Sequence, residues 1–225
     1  MRYSMAWIRE WVQTDRTDRE LLDILTRVGL TVDTVDTLEN DTVFDLDLTT
    51  NRPDALSHRG VARELSAALR LPMKNLAHTP GSDGDPTSVN TSVTIEDAEA
   101  CPRYACQLIR EVKVGPSPAW LAERLDRIGI RPINNMVDIT NYVLAAYGQP
   151  LHAFDFEKLT GRRIIVRKAR QGERLTTLDG VERTLTAEDL VIADESRACA
   201  LAGIMGGEDS EIGPSTRTVL LESAY

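Results

Sequence analysis

The chain has 225 residues, 42% apolar and 27% charged, ordinary figures for a globular protein with room for one large domain or two small ones. Its 35 acidic and 26 basic residues leave a formal charge of −9, which excludes a general nucleic-acid coat and confines any phosphate contact to a local patch. No stretch approaches the roughly 20 apolar residues of a membrane span. The N-terminus MRYSMAWIREWVQTDR has no signal-peptide pattern, and Cys101, Cys106 and Cys199 form no CxxC pair, so reduced thiols in a cytoplasmic protein are expected.

In chain order, Ser4 is placed to cap a short helix whose Trp7, Ile8 and Trp11 share one face. Thr17 and Glu20 have the spacing of a capping box ahead of Leu21, Leu25 and Val28, and Gly29 is a C-terminal stop. Residues 1–40 therefore read as a small helical unit, and its two tryptophans require a packing partner. In VFDLDLTTN, alternation of Phe44, Leu46 and Leu48 with Val43, Asp45 and Asp47 predicts a half-buried strand. Asn51-Arg52-Pro53-Asp54 turns it into a helix carrying Val61, Leu65 and Leu69. Residues 75–90 are rich in Pro, Gly, Ser and Asp and read as a linker.

Beyond the linker, strands are predicted near 91–95, 103–112, 163–168, 190–193, 198–203 and 218–223. Helices are predicted over 117–128, with Ser117 as cap, and over 136–146. Asp179-Gly180 lies between two β-like runs and marks a hairpin. Helices packed on mixed or antiparallel sheets give an α+β fold, with residues 41–225 as the second body.

The chain has no GxSxG, HExxH, Walker or GxGxxG motif, and with His58, His78 and His152 alone a multi-histidine metal site is not expected. The segment GRRIIVRKAR carries five basic residues and no acid. It reads either as a phosphate-contacting edge or as a solvated edge strand protected by charge. In VDITNYVLAAYGQPLHAFD, Asp138, Thr140 and Asn141 open a helix that stops at Tyr147-Gly148, and His152 comes directly after. Such groups either converge on a cleft or serve as caps. Gly203, Gly206 and Gly207 in ALAGIMGGEDSEIG either admit a flat ligand or mark a bulged turn. Glu222, inside the apolar run TVLLESAY, must be paired, exposed at an edge, or aimed into a pocket.

Taken together, MRYSMAWIREWV, LTTNRPDALSHRGVARELSAAL, CPRYACQLI, GIRPINNMVDITNYVLAAYGQPLHAFD, LAGIMGGEDSEI and LLESAY resemble the bacterial phenylalanyl-tRNA synthetase β subunit. The resemblance implies an N-terminal helical unit leading into a B3/B4 editing module. Where the family inserts an oligonucleotide-binding-fold domain for tRNA, Leu38 here runs almost directly into Thr42. The chain also stops at Tyr225, before the family's catalytic-like part, so it is not expected to charge tRNA alone. By resemblance, the module hydrolyses tyrosine wrongly esterified to tRNA(Phe). Thr140, Asn141 and His152 would hold the ester and the attacking water, aided by the terminal ribose hydroxyl. Glu222 would read the tyrosine hydroxyl, and Gly203 and Gly206 would give the ring room. No cofactor is implied for editing, since ATP and Mg belong to the catalytic part. The implied partners are the acceptor end of tRNA(Phe) carrying tyrosine and, within a full β subunit, the synthetase α subunit. A non-catalytic aminoacyl-tRNA-binding or architectural module is the alternative.

Overall fold

The computed structural model describes residues 1–75 and 84–225. From the N-terminus the elements are β1 (Arg2–Ser4), α1 (Met5–Ile8), α2 (Asp18–Arg27), β2 (Thr31–Leu38), β3 (Asp41–Asp47) and α3 (His58–Leu69). Then come α4 (Thr87–Asn90), β4 (Ser92–Ile95), β5 (Tyr104–Ile109), α5 (Ala119–Arg127) and α6 (Asn135–Tyr147). The remainder is β6 (His152–Asp155), β7 (Arg163–Lys168), β8 (Arg174–Thr176), β9 (Glu182–Thr184), β10 (Leu190–Ala193), β11 (Ala198–Leu201), β12 (Met205–Gly206) and β13 (Val219–Ala224). The α+β class expected from the pattern is the one observed.

The chain divides into two compact units, Met1–Gly81 with Ser117–Pro150, and Ser82–Pro116 with Leu151–Tyr225. This division does not coincide with the expected boundary at residue 40. β3 pairs with both β1 and β2, so the first forty residues share a sheet and a core with β3 and α3. They are also not wholly helical. Thr31–Leu38 is a strand whose side chains are almost all exposed, so no apolar stripe announces it, and pairing with β3 defines it. Glu39 and Asn40 close this hairpin, so no domain separates the N-terminal helices from β3. The expected linker falls partly on residues 76–83, outside the described residues; Thr87–Asn90 is a helical turn.

In the first unit the caps of α1 and α2 form as the sequence predicts. The Ser4 hydroxyl accepts from the Trp7 N–H, and Thr17 and Glu20 form a reciprocal capping box. Trp7 and Trp11 are buried, Trp7 stacking on Tyr142 and His58. His58 accepts from the Ser4 N–H at 3.1 Å while its Nδ1 lies 2.9 Å from the Ala145 carbonyl oxygen. Burial holds its pKa down to about 3, which makes it a neutral structural imidazole. Pro118, not Ser117, occupies the cap position of α5, and the Ser117 hydroxyl donates instead to buried Asp138.

The second unit has a five-stranded sheet, β12-β11-β10-β7-β4, and a three-stranded sheet, β5-β13-β6. Phe154, Leu220, Ile164, Val166, Ile192 and Cys199 share one core drawn from both sheets. β8 and β9 form the hairpin expected around Asp179-Gly180. The basic segment is not an edge. β7 pairs with β10 on one side and β4 on the other, and buried Arg167 forms a two-pronged ion pair with Glu173 at 2.7 and 2.8 Å. All three cysteines are free.

Candidate functional site

β13 is the central strand of its sheet, and its pairings place Glu222 directly opposite Cys106 on β5 and His152 on β6. Strand periodicity puts Leu220, Glu222 and Ala224 on one face, and Leu220 and Ala224 belong to the apolar core. Tyr104, Cys106 and Leu108 on β5 pack against the same core, as does Phe154 on β6. The carboxyl of Glu222 therefore projects from the apolar side of the sheet.

One oxygen is accounted for within the chain: the Tyr104 hydroxyl donates to Glu222 Oε2 at 2.5 Å. Burial pushes the Glu222 pKa up to about 7, against the smaller opposing effect of the Tyr104 bond. Burial, and then the neighbouring carboxylate, raise the Tyr104 hydroxyl and the Cys106 thiol above their ordinary values.

The His152 ring stands edge-on to Phe154, with centroids 4.5 Å apart at 78°. Burial lowers its pKa to about 4, so the imidazole is neutral at pH 7. Its Nε2 is buried and has no hydrogen-bond partner among the described residues. Gly206 on β12 lies against this ring. A Cβ there would sit 2.4 Å from His152 Cε1, 2.8 Å from Nε2 and 3.1 Å from Leu178 Cδ1, so only glycine admits the imidazole in this pose. Gly203 is different: it is exposed with open space around it, and its φ of +68° turns the chain between β11 and β12. Gly207 is held by backbone, since a Cβ would meet the Cys199 carbonyl oxygen at 2.5 Å.

His152, Gly203, Gly206 and Glu222 thus belong to the second unit, where His152 meets Gly206 and pairs across strands with Glu222. Thr140 and Asn141 belong to the first unit, on α6. Thr140 is buried and its hydroxyl donates to the Val137 carbonyl oxygen at 2.7 Å; Asn141 is half-buried. Sequence reasoning missed Tyr104 and Cys106. Their period-two spacing in CPRYACQLI was visible, but only the pairing of β5 with β13 brings them to Glu222. Among the described residues no group of three or more His, Cys, Asp or Glu is arranged to hold a metal ion. Chemically, the site offers a neutral imidazole nitrogen able to bond a water and a carboxyl able to accept from a hydroxyl.

The family model for the B3/4 domain matches residues 100–225. The phenylalanine--tRNA ligase beta subunit of Geobacter sulfurreducens is 54% identical over 185 residues, covering 82% of this chain and 23% of that protein. That of Syntrophotalea carbinolica is 55% identical over 186 residues, with the same coverage of 82% and 23%. The chain thus spans about a quarter of the length of the curated relatives it matches. Among solved structures, an N-terminal fragment of the phenylalanyl-tRNA synthetase beta-subunit from Pyrococcus horikoshii aligns with a TM-score of 0.53. It covers 100% of this chain and 67% of that one at 17% identity, a likeness of fold.

Proposed function

The chain belongs to the B3/4 domain family, and on that premise we propose that it is a segment of a phenylalanine–tRNA ligase β subunit that hydrolyses tyrosine misesterified to tRNA(Phe). The observation that carries this reading is Glu222, a carboxyl on the apolar face of a sheet, opposite a histidine whose Nε2 has no protein partner among the described residues. An aminoacylation pocket shaped for phenylalanine cannot strongly exclude a ring that merely adds a hydroxyl. A second site that hydrogen-bonds that hydroxyl can reject the analogue lacking it by about four to five orders of magnitude. Glu222 supplies that acceptor.

In the hydrolysis, water adds to the ester carbonyl carbon and the acyl C–O bond breaks. Tyrosine leaves as its carboxylate, and the terminal ribose recovers its hydroxyl. The reading assigns the attacking water to neutral His152, through Nε2. Ester hydrolysis needs only a positioned water and a stabilised oxyanion, so the reading calls for no cofactor. Its partners are the acceptor end of tRNA(Phe) and, within a full β subunit, the α subunit, in the cytoplasm. Among the described residues no helix is long and apolar enough to cross a membrane.

The test is release of tyrosine from tyrosyl-tRNA(Phe), beside phenylalanyl-tRNA(Phe), by this protein and by Glu222→Ala. Selective release of tyrosine, lost or made unselective in the variant, is expected. Binding of the tRNA without release by folded protein would instead identify a non-catalytic module, and unchanged hydrolysis in His152→Ala would remove that residue from the chemistry.

A further inference from the structure

Glu222 does not wait alone for a hydroxyl; it already accepts one from Tyr104 on the neighbouring strand. The contact is fixed by the fold. Glu222 is opposite Cys106 and Tyr104 is opposite Ala224, so the phenol reaches the carboxyl diagonally along one face of the sheet. Tyr104 itself is packed against the apolar core, which restrains its ring. A carboxylate has two oxygens and about four lone-pair sites, and the phenol bonds Oε2 only through its single proton.

We propose that Tyr104 is a positioning residue for hydroxyl recognition: it fixes one oxygen of Glu222 and favours the carboxylate form, directing the other oxygen toward an incoming phenol. The proposal deepens the editing reading and rests on it. A carboxylic acid held neutral would present one donor and a weak acceptor, whereas the phenol-bound carboxylate can only accept. It therefore requires a hydroxyl from its ligand, and the unsubstituted ring of phenylalanine cannot supply one. Burial works against this state and the Tyr104 bond works for it, as the opposed effects on Glu222 show. The other titratable groups around the carboxyl are His152, Cys106 and Cys101. Burial keeps His152 neutral above about pH 4 and raises both thiols, so around neutral pH none of the three supplies a compensating positive charge.

The experiment is Tyr104→Phe, which keeps the ring and removes the donor. Two quantities are read: the Tyr-over-Phe ratio of kcat/KM in deacylation between pH 6 and pH 9, and the 13C carboxyl titration of Glu222, assigned with Glu222→Gln. The expected ratio at pH 7 falls about tenfold to a hundredfold, the worth of one hydrogen bond to a charged acceptor. Most of this loss should lie in KM, the ratio should recover toward pH 9, and the Glu222 titration should move to higher pH. An unchanged titration overturns the proposal, whether or not the wild-type protein hydrolyses the ester. A variant that gains tyrosine release also overturns it, because Tyr104 would then be a plug over Glu222. Wild-type protein that releases no tyrosine overturns the editing reading alone, and the carboxyl titration still decides the role of Tyr104.

Discussion

Replacing Glu222 by glutamine should make the protein more stable, and increasingly so as the pH rises. In the folded chain burial pushes this carboxyl up to about 7, from an ordinary value of 4.5. The folded state therefore holds a proton that the unfolded chain releases across that window. The associated stability is fully present below pH 4.5 and is lost as the pH rises through about 7. The full effect is on the order of 3 kcal/mol. Because the isoelectric point is about 4.9, the measurement belongs above pH 5. Between pH 5.5 and pH 8.5 the two titrations leave about 2 kcal/mol of change. Glutamine keeps the shape and an acceptor for the Tyr104 hydroxyl but carries no charge at any of these values. His152 titrates in both proteins and cancels in the comparison. Urea unfolding, with a slope of about 2 kcal/mol/M, should show the midpoint advantage of Glu222→Gln growing by about 1 M from pH 5.5 to pH 8.5. Parallel midpoints across that range would refute the burial argument for Glu222.

Gly206→Ala should cost about 1–3 kcal/mol, because its Cβ would overlap the His152 imidazole and the ring must leave its place. Combining it with His152→Ala should return part of that cost; strict additivity of the urea-measured effects would show that the two sites do not couple. In the same unit, the Arg167 bond holds the Glu173 carboxyl down to about 2, with the Arg170 and Ala198 N–H groups assisting. That stability is present above pH 4.5 and is lost as the pH falls through about 2. Glu173→Gln should cost about 3 kcal/mol at pH 7 by leaving Arg167 buried and unpaired, with the gap to wild type narrowing below pH 4. A gap independent of pH would assign the cost to packing instead.

Local signals carried much of the architecture. The Thr17/Glu20 capping box, the Asp179-Gly180 hairpin and strands 163–168 and 190–193 are written in a few adjacent residues, and each is where the pattern put it. β2 was not legible because its side chains are exposed on both faces and its strand character comes from β3. Charge misled at β7: an interior strand can carry arginines when one of them is paired beneath the sheet surface, and sequence alone does not show Glu173 reaching Arg167. The candidate site was legible as separate residues only. Glu222, His152 and Cys106 meet through pairings between segments far apart in the chain, and no local pattern fixes that register.

The register also explains why two opposite-tending groups stand side by side without forming an ion pair. A His–Glu salt bridge would raise the imidazole and lower the carboxyl. Here the imidazole falls to about 4 and the carboxyl rises to about 7, both driven first by burial. The carboxyl takes its hydrogen bond from a neutral phenol rather than from a cation. An arginine or a protonated histidine on Glu222 would saturate its oxygens and leave little reason to prefer a ligand hydroxyl. A phenol satisfies one lone pair and leaves the charge uncompensated, so a second hydroxyl still gains by binding. On the histidine side, the same burial keeps the imidazole neutral at pH 7 and leaves its Nε2 without a hydrogen-bond partner among the described residues. One apolar environment therefore shifts the two neighbours in opposite directions, and on the proposed reading it fits Glu222 to accept from a hydroxyl and His152 to bond a water.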